Sequence, residues 1–337
     1  MAIWESKDIV LNSGETVKAQ APVIISASRA TDIPAFFADW FRNRFEIGYI
    51  KWINPFNGKP LYVNFDNTRL IVFWSKNPEP MIKHLDYFDS IGVNYYFQYS
   101  LNDYEIEGLE AGVPSKKKRI ETFKRLSDRL GKSRVIWRYD PLLVTKNLPM
   151  DALLERVERI GDELYKYTNK LVFSFADISA YKKVQNNLKN VPYIEFDFQK
   201  MEYMAKHISQ MARRWGIEVA TCSEKIDLDK FNIKHNKCVD DDLMIEQFYN
   251  DQKLMKFLGV EVNKGLFGID IKKTKENKDK GQREDCGCIV AKDIGQYNTC
   301  VHKCIYCYAN TSVQTAMSNY KKYLINPNSE SIIGGVK

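Results

Sequence analysis

Three cysteines near the end of the chain, Cys300, Cys304 and Cys307, stand at C-x3-C-x2-C spacing, with Tyr306 just before the third. Cysteine thiolate is the usual protein ligand of iron–sulfur clusters, and a cuboidal [4Fe–4S] cluster has four iron corners. Three closely spaced thiolates would hold three corners and leave the fourth iron open to a non-protein ligand. Cys304 and Cys307 also form the C-x2-C unit of structural zinc sites, where His302 or the Cys286-Gly-Cys288 pair would complete the ligand set. Spacing alone leaves both chemistries open. Four more cysteines remain, Cys222, Cys238, Cys286 and Cys288, the number that a second, fully ligated iron–sulfur cluster or a zinc ion requires. The plainer reading makes Cys222 and Cys238 small buried hydrophobes.

These residues must be positioned by the segments ahead of them. Short apolar runs such as Val23–Ser28, Leu70–Trp74, Asn94–Ser100, Arg134–Pro141, Leu171–Phe175 and Ile217–Cys222 read as strands. Between them lie stretches with helical spacing: Ala35–Phe45, the run from Pro114-Ser115 to Leu130, Met150–Tyr167 and Gln199–Trp215. Strands alternating with helices of this length predict βαβ units around a parallel sheet, a partial or full TIM-like βα barrel. Polar residues recur where the strands end, at Ser28, Lys76, Ser100, Arg138, Ser174 and Cys222, the edge on which such barrels build sites. Asn57-Gly58 predicts a hairpin. The expected organisation is 1–225 as barrel repeats, 226–285 as a helical insertion with a mobile Lys-rich loop over 272–284, and 286–337 as the cysteine loop and closing helix of the same barrel.

The chain of 337 residues is long enough for a large core, and 44% hydrophobic against 28% charged residues argues against disorder. No apolar run approaches a membrane span and the first residues carry no signal pattern, so a cytoplasmic protein is expected. In that compartment seven cysteines are ligands or reactive thiols before they are disulfides. The net charge of +7, concentrated in Lys116–Arg119 and Lys272–Arg283, permits a nucleic-acid partner without requiring one.

The string Asn298-Thr-Cys-Val-His-Lys-Cys-Ile-Tyr-Cys-Tyr-Ala resembles the cluster motif of the radical S-adenosylmethionine (SAM) enzymes, most closely their spore photoproduct lyase-like branch. Other segments resemble that branch in order: Ile24-Ile-Ser-Ala-Ser-Arg-Ala-Thr31-Asp32-Ile-Pro34 its second-strand motif, Trp74-Ser-Lys76-Asn-Pro its third, and Ser100 with Glu110-Ala-Gly-Val-Pro114-Ser115-Lys-Lys-Lys-Arg119 its fourth. In those enzymes the cluster loop follows the first strand; here it comes last, which implies a circularly permuted barrel whose first strand lies within about residues 284–296. The whole chain also resembles a bacterial family of unknown function.

The resemblance implies a [4Fe–4S] cluster on Cys300, Cys304 and Cys307, reductive cleavage of SAM to methionine and a 5′-deoxyadenosyl radical, and hydrogen abstraction from a substrate. It places Ser28, Thr31 and Asp32 at the amino end of SAM, Lys76 and Ser100 at its carboxylate or ribose, and Tyr306 on the adenine side. Arg138 would pair with a carboxylate or substrate phosphate, and Glu110 is the other catalytic candidate. His302 is expected to carry no ligand role. An electron donor such as flavodoxin or ferredoxin and a nucleic-acid substrate complete the expectation. The competing readings are a zinc-stabilised nucleic-acid-binding protein and a non-catalytic iron–sulfur electron-transfer or sensor protein.

Overall fold

The computed structural model describes residues 4–55, 57–265 and 268–334, so the ends of the first and last expected segments, 1–3 and 335–337, lie outside it. Eight strands form one all-parallel sheet: β1 (Ile24–Ala27), β2 (Leu70–Ser75), β3 (Asn94–Ser100), β4 (Val135–Leu142), β5 (Lys170–Phe175), β6 (Glu218–Thr221), β7 (Lys234–His235) and β8 (Lys292–Asp293). Their order in space is β7-β6-β5-β4-β3-β2-β1-β8. The first seven therefore follow chain order and the last returns to the far edge, where Lys292 lies opposite Ile25 and Asp293 opposite Ser26. Among the described residues the ladder runs from β7 to β8 and does not join those two edges, so a closed ring is not what the backbone pairing draws.

Side chains alternate across the strands. Ile25, Phe73, Phe97, Trp137 and Leu171 enter one core with the crossover helices. These include α1 (Ala38–Ile47), α2 (Lys116–Leu130), α3 (Met150–Leu164) and α4 (Phe198–Trp215). Ile24, Val72, Tyr96, Ile136 and Val172 point the other way, onto Val239, Met244 and Leu254. Those residues belong to, or lead into, α5 (Asp241–Phe248) and α6 (Gln252–Leu258). The region expected to be an insertion is thus the cover of the second sheet face, which explains why both faces of these strands are apolar.

Three further features differ from the sequence reading. The first residues are not strands of the parallel sheet: Glu5–Val10 and Thr16–Ala21 join the Tyr49–Ile53 and Pro60–Asn64 hairpin in a separate four-stranded sheet. The Lys-rich stretch is tied down by polar contacts rather than apolar burial. Lys273 reaches Asp241 at 2.6 Å, Asn277 Nδ2 donates to Leu258 O at 3.0 Å, and Asp279 N donates to Cys288 O at 2.9 Å. A polar sequence gives no periodicity from which such anchoring is visible. Between β5 and α4 the chain also makes a short helix, Lys182–Leu188, that the sequence reading did not include.

Candidate functional site

The cysteine loop leaves β8 at the carboxyl edge of the sheet and is clamped on two sides. On the first, Asp293 accepts hydrogen bonds from Ser26 Oγ (2.8 Å) and Arg29 N (2.9 Å). Gly295 then passes so close that a Cβ there would sit 1.7 Å from Ser28 Oγ. The Thr31 hydroxyl bonds Thr299 Oγ1 (2.7 Å) and receives the Gln296 amide (2.9 Å). On the second side, Gly112 N donates to His302 O (2.7 Å) and Ile305 N to Leu109 O (3.0 Å). A Cβ on Gly112 would meet the Val301 and His302 carbonyl oxygens at 2.6 and 2.7 Å. Between the first two cysteines Lys303 adopts a left-handed φ of 57°, a conformation that costs an ordinary residue about 1–2 kcal/mol and is retained where the surroundings impose it.

Asp32 is the hub of the first clamp. Its carboxylate accepts from Ser75 Oγ (2.7 Å), Ala35 N (3.0 Å), Lys76 N (2.7 Å) and the His302 ring (2.6 Å). Four donors fill the lone-pair positions of a carboxylate. Ser28 is similarly engaged, its hydroxyl accepting from the Ala30 and Thr31 amides at 3.1 Å each. Of the three residues expected at the cofactor, Thr31 and Asp32 therefore spend their polar atoms holding the cysteine loop, and Ser28 caps the turn that follows β1. His302, expected to carry no ligand role, is 2% exposed and is the contact that carries Asp32 into the C-x3-C turn. Its position inside the motif was the available signal.

A second network lies beside Cys304. Lys76 Nζ donates to Glu110 Oε1 (2.8 Å) and Tyr306 Oη (3.1 Å), Asn102 Nδ2 donates to the same two atoms (3.0 and 3.1 Å), and Tyr306 also hydrogen-bonds Glu110. Arg119 Nη1 stands 3.7 Å from Glu110 Oε2. Burial alone would raise the Glu110 carboxyl, but Lys76 and Arg119 outweigh it and hold it down to about 2. The same pairing raises Lys76 against its own burial, with Cys304 adding to Glu110. Tyr306 is thus tied through its hydroxyl, and its phenol is pushed up by burial and by Glu110. Asn102 joins the expected residues; an asparagine just beyond a strand end carried no distinguishing signal.

The three thiols are near enough to influence one another's ionisation: Cys300 is raised by Cys307, and Cys304 by both. Burial is the larger cause and pushes Cys300 up to about 12. A bound cation reverses that order and leaves a coordinating thiol deprotonated. Among the described residues no three cysteine sulfurs lie within 4.8 Å of one another. Thiolates around a single tetrahedral zinc, at Zn–S of about 2.3 Å, would be about 3.8 Å apart. As they stand, the three thiols are not drawn together to the spacing of one ion. Arg29 Nη2, Trp74 Nε1, Asn77 Oδ1 and Asn310 Oδ1 are buried polar atoms without a hydrogen-bond partner, and atoms of that kind are what a bound polar ligand satisfies. Arg29 stacks over Trp74 at 5.3 Å. Neither was among the expected site residues, although Arg29 lies in the Ser28–Asp32 run.

Arg138 does not join this network. It is 2% exposed, on the sheet face opposite the crossover helices. It pairs with Asp140 and donates to Gln98 Oε1 (3.1 Å) and Cys238 Sγ (3.0 Å). It thus stands with the other four cysteines, which the fold brings together: Cys222 Sγ lies 3.5 Å from Cys238 Sγ, and the Cys288 thiol interacts with those of Cys238 and Cys286. Ser100 ends β3 with Arg138 as its Cα partner in β4.

Among solved structures, one from Bacteroides thetaiotaomicron described as "a putative alpha-L-fucosidase" is similar at 10% identity and a TM-score of 0.22, over 57% of this chain and 84% of its own. No curated protein matches the chain. The family match is extensive: it begins at the first residue of β1 and ends two residues past Cys307, so it takes in the sheet and both cysteine sets. Over residues 24–309 the chain belongs to the family described as a domain of unknown function, DUF1848.

Proposed function

We propose that the chain is an iron–sulfur enzyme of the radical SAM type, with Cys300, Cys304 and Cys307 as ligands of a [4Fe–4S] cluster and SAM at its open corner. One observation carries the reading: β8 pairs in parallel with β1, so the cysteine loop stands ahead of β1 in space although it is last in the chain. That is the arrangement a barrel opened between its first two strands would have. Such a cluster, when bound, delivers one electron to the sulfonium of SAM, breaking the C5′–S bond and leaving a carbon radical that removes hydrogen from the substrate.

The chain's own residues have definite tasks in this scheme. His302 and Asp32 hold the C-x3-C turn rigid, and the Phe36 ring, 4.6 Å from the imidazole, keeps water from it. Lys76 holds a positive charge beside Cys304, favouring the thiolate and offering an ammonium to a carboxylate at the open corner. Glu110 and Tyr306 fix where that ammonium points. Asn77, next to Lys76, and Asn310, in the cysteine loop, supply unpaired polar atoms for the remainder of the ligand. The substrate class follows from the branch resemblance and the basic balance, with nucleic-acid modification or repair first and a peptide or small metabolite second. The electron would come from a flavodoxin or ferredoxin.

The test is anaerobic incubation with SAM and dithionite, following 5′-deoxyadenosine, alongside the electron paramagnetic resonance of the reduced cluster with and without SAM. Formation of 5′-deoxyadenosine that is lost in Cys304→Ala is the expected result. A full cluster whose spectrum ignores SAM would leave an electron-transfer or sensor protein, and zinc in place of iron would leave a binding protein. Steep salt dependence of RNA or DNA affinity would support the nucleic-acid substrate.

A further inference from the structure

The four cysteines outside the motif come from three places in the chain and meet at one seam. Cys222 follows β6, its amide bonded to Phe173 O at 2.8 Å. Cys238 lies just beyond β7, at one edge of the sheet, and Cys286 and Cys288 lie just ahead of β8, at the other. The two edges are drawn together there, with Ile289 N donating to Val239 O at 3.1 Å. The sulfurs form a connected row: Cys222 against Cys238 at 3.5 Å, Cys238 against Cys288, and Cys288 against Cys286. Cys238 and Cys288 are 2% and 1% exposed.

Buried thiols that serve only as small hydrophobes do not need donors, yet these are surrounded by them. Cys238 Sγ receives Arg138 Nη1 at 3.0 Å and Asn236 Nδ2 at 3.1 Å. Cys288 Sγ receives the Cys238 and Val239 amides at 3.3 and 3.4 Å. Four N–H groups on two sulfurs is the environment of thiolates that ligate and tune a cluster. Two guanidiniums, Arg138 and Arg29, border the row, and Arg29 Nη2 has no protein partner.

The geometry points to a second iron–sulfur cluster, ligated by Cys222, Cys238, Cys286 and Cys288, that fastens the β7 edge of the sheet to the β8 edge. Because no three of the sulfurs come within 4.8 Å of one another, a single tetrahedral ion does not fit as the row stands. With all four positions filled by protein, this cluster has no open corner and needs no SAM. The inference does not rest on the proposed radical chemistry.

The experiment removes the other site. The variant Cys300→Ala/Cys304→Ala/Cys307→Ala, prepared anaerobically, is expected to retain about two to four irons per chain with matching acid-labile sulfide. Adding Cys286→Ser, at the most accessible end of the row, should lower that iron at least about twofold while circular dichroism is unchanged. If the triple variant does not fold, Cys286→Ser in the otherwise intact chain should remove the same share of total iron. Iron absent from the triple variant, one zinc per chain, or a Cys222–Cys238 disulfide in its place overturns the inference. Iron held by these four cysteines in a protein that does not cleave SAM would overturn only the proposed function.

Discussion

Replacing Glu110 by glutamine tests whether the Lys76–Glu110–Arg119 cluster is a buried charge balance. The amide oxygen can take the Oε1 position and keep neutral bonds from Lys76, Asn102 and Tyr306. Its NH2 then faces Arg119 Nη1, donor to donor, where the carboxylate now stands 3.7 Å away. Two largely buried cations lose their anion, since Lys76 is 16% exposed and Arg119 1% at the side chain. Removing one partner of such a set costs about 3–5 kcal/mol. For a chain of 337 residues the unfolding entropy is about 0.7 kcal/mol/K. Glu110→Gln should therefore lower Tm by roughly 4–7 °C in calorimetry. The double variant Glu110→Gln/Lys76→Met removes one stranded cation as well and should recover about half of the loss. A Tm within about 1 °C of the parent, or a double variant whose losses simply add, would refute the reasoning.

Lys292 packs over the Trp52 ring at 3.6 Å, and burial lowers its ammonium to about 8 despite Asp293. The unfolded chain then holds this proton between about pH 8 and 10.5 while the folded chain does not, so stability should rise with pH across that window. Lys292→Met should stabilise the protein at pH 7 by about 1–2 kcal/mol after the lost ring contact is offset, and a gap from the parent that stays constant up to pH 10.5 would contradict this. Asp241 is held below its ordinary value because its hydrogen bonds from Lys237 and Lys273 outweigh burial. The stability it contributes is present above the unfolded carboxyl pKa and lost as pH falls below it, so Asp241→Asn should flatten the acid limb of a urea-midpoint profile. Gly112→Ala should cost about 1–3 kcal/mol and loosen iron from the Cys300–Cys304–Cys307 site alone, because its Cβ meets two carbonyl oxygens of that loop; unchanged iron content at that site would argue against the clamp.

Much of the scaffold was legible in the chain because it is local. Apolar runs of strand length, helical spacing between them and polar residues at strand ends are set by the periods of the backbone, and β1 to β6 lie where those patterns put them. The C-x3-C-x2-C run stands out for the same reason, since its three thiols are neighbours in sequence, although its spacing alone leaves cluster and zinc chemistry both open. What only the tertiary structure decided concerns residues far apart. The strand β8 is two residues long, too short for any pattern, and its partner β1 lies at the other end of the chain. The meeting of Cys222, Cys238, Cys286 and Cys288 depends on how both sheet edges turn, and Asp32, placed by the resemblance at the amino end of SAM, is met in the fold by four donors from three segments of the chain. Propensity acts over a few residues, whereas the valence of a buried polar atom is filled by whatever the whole fold brings beside it.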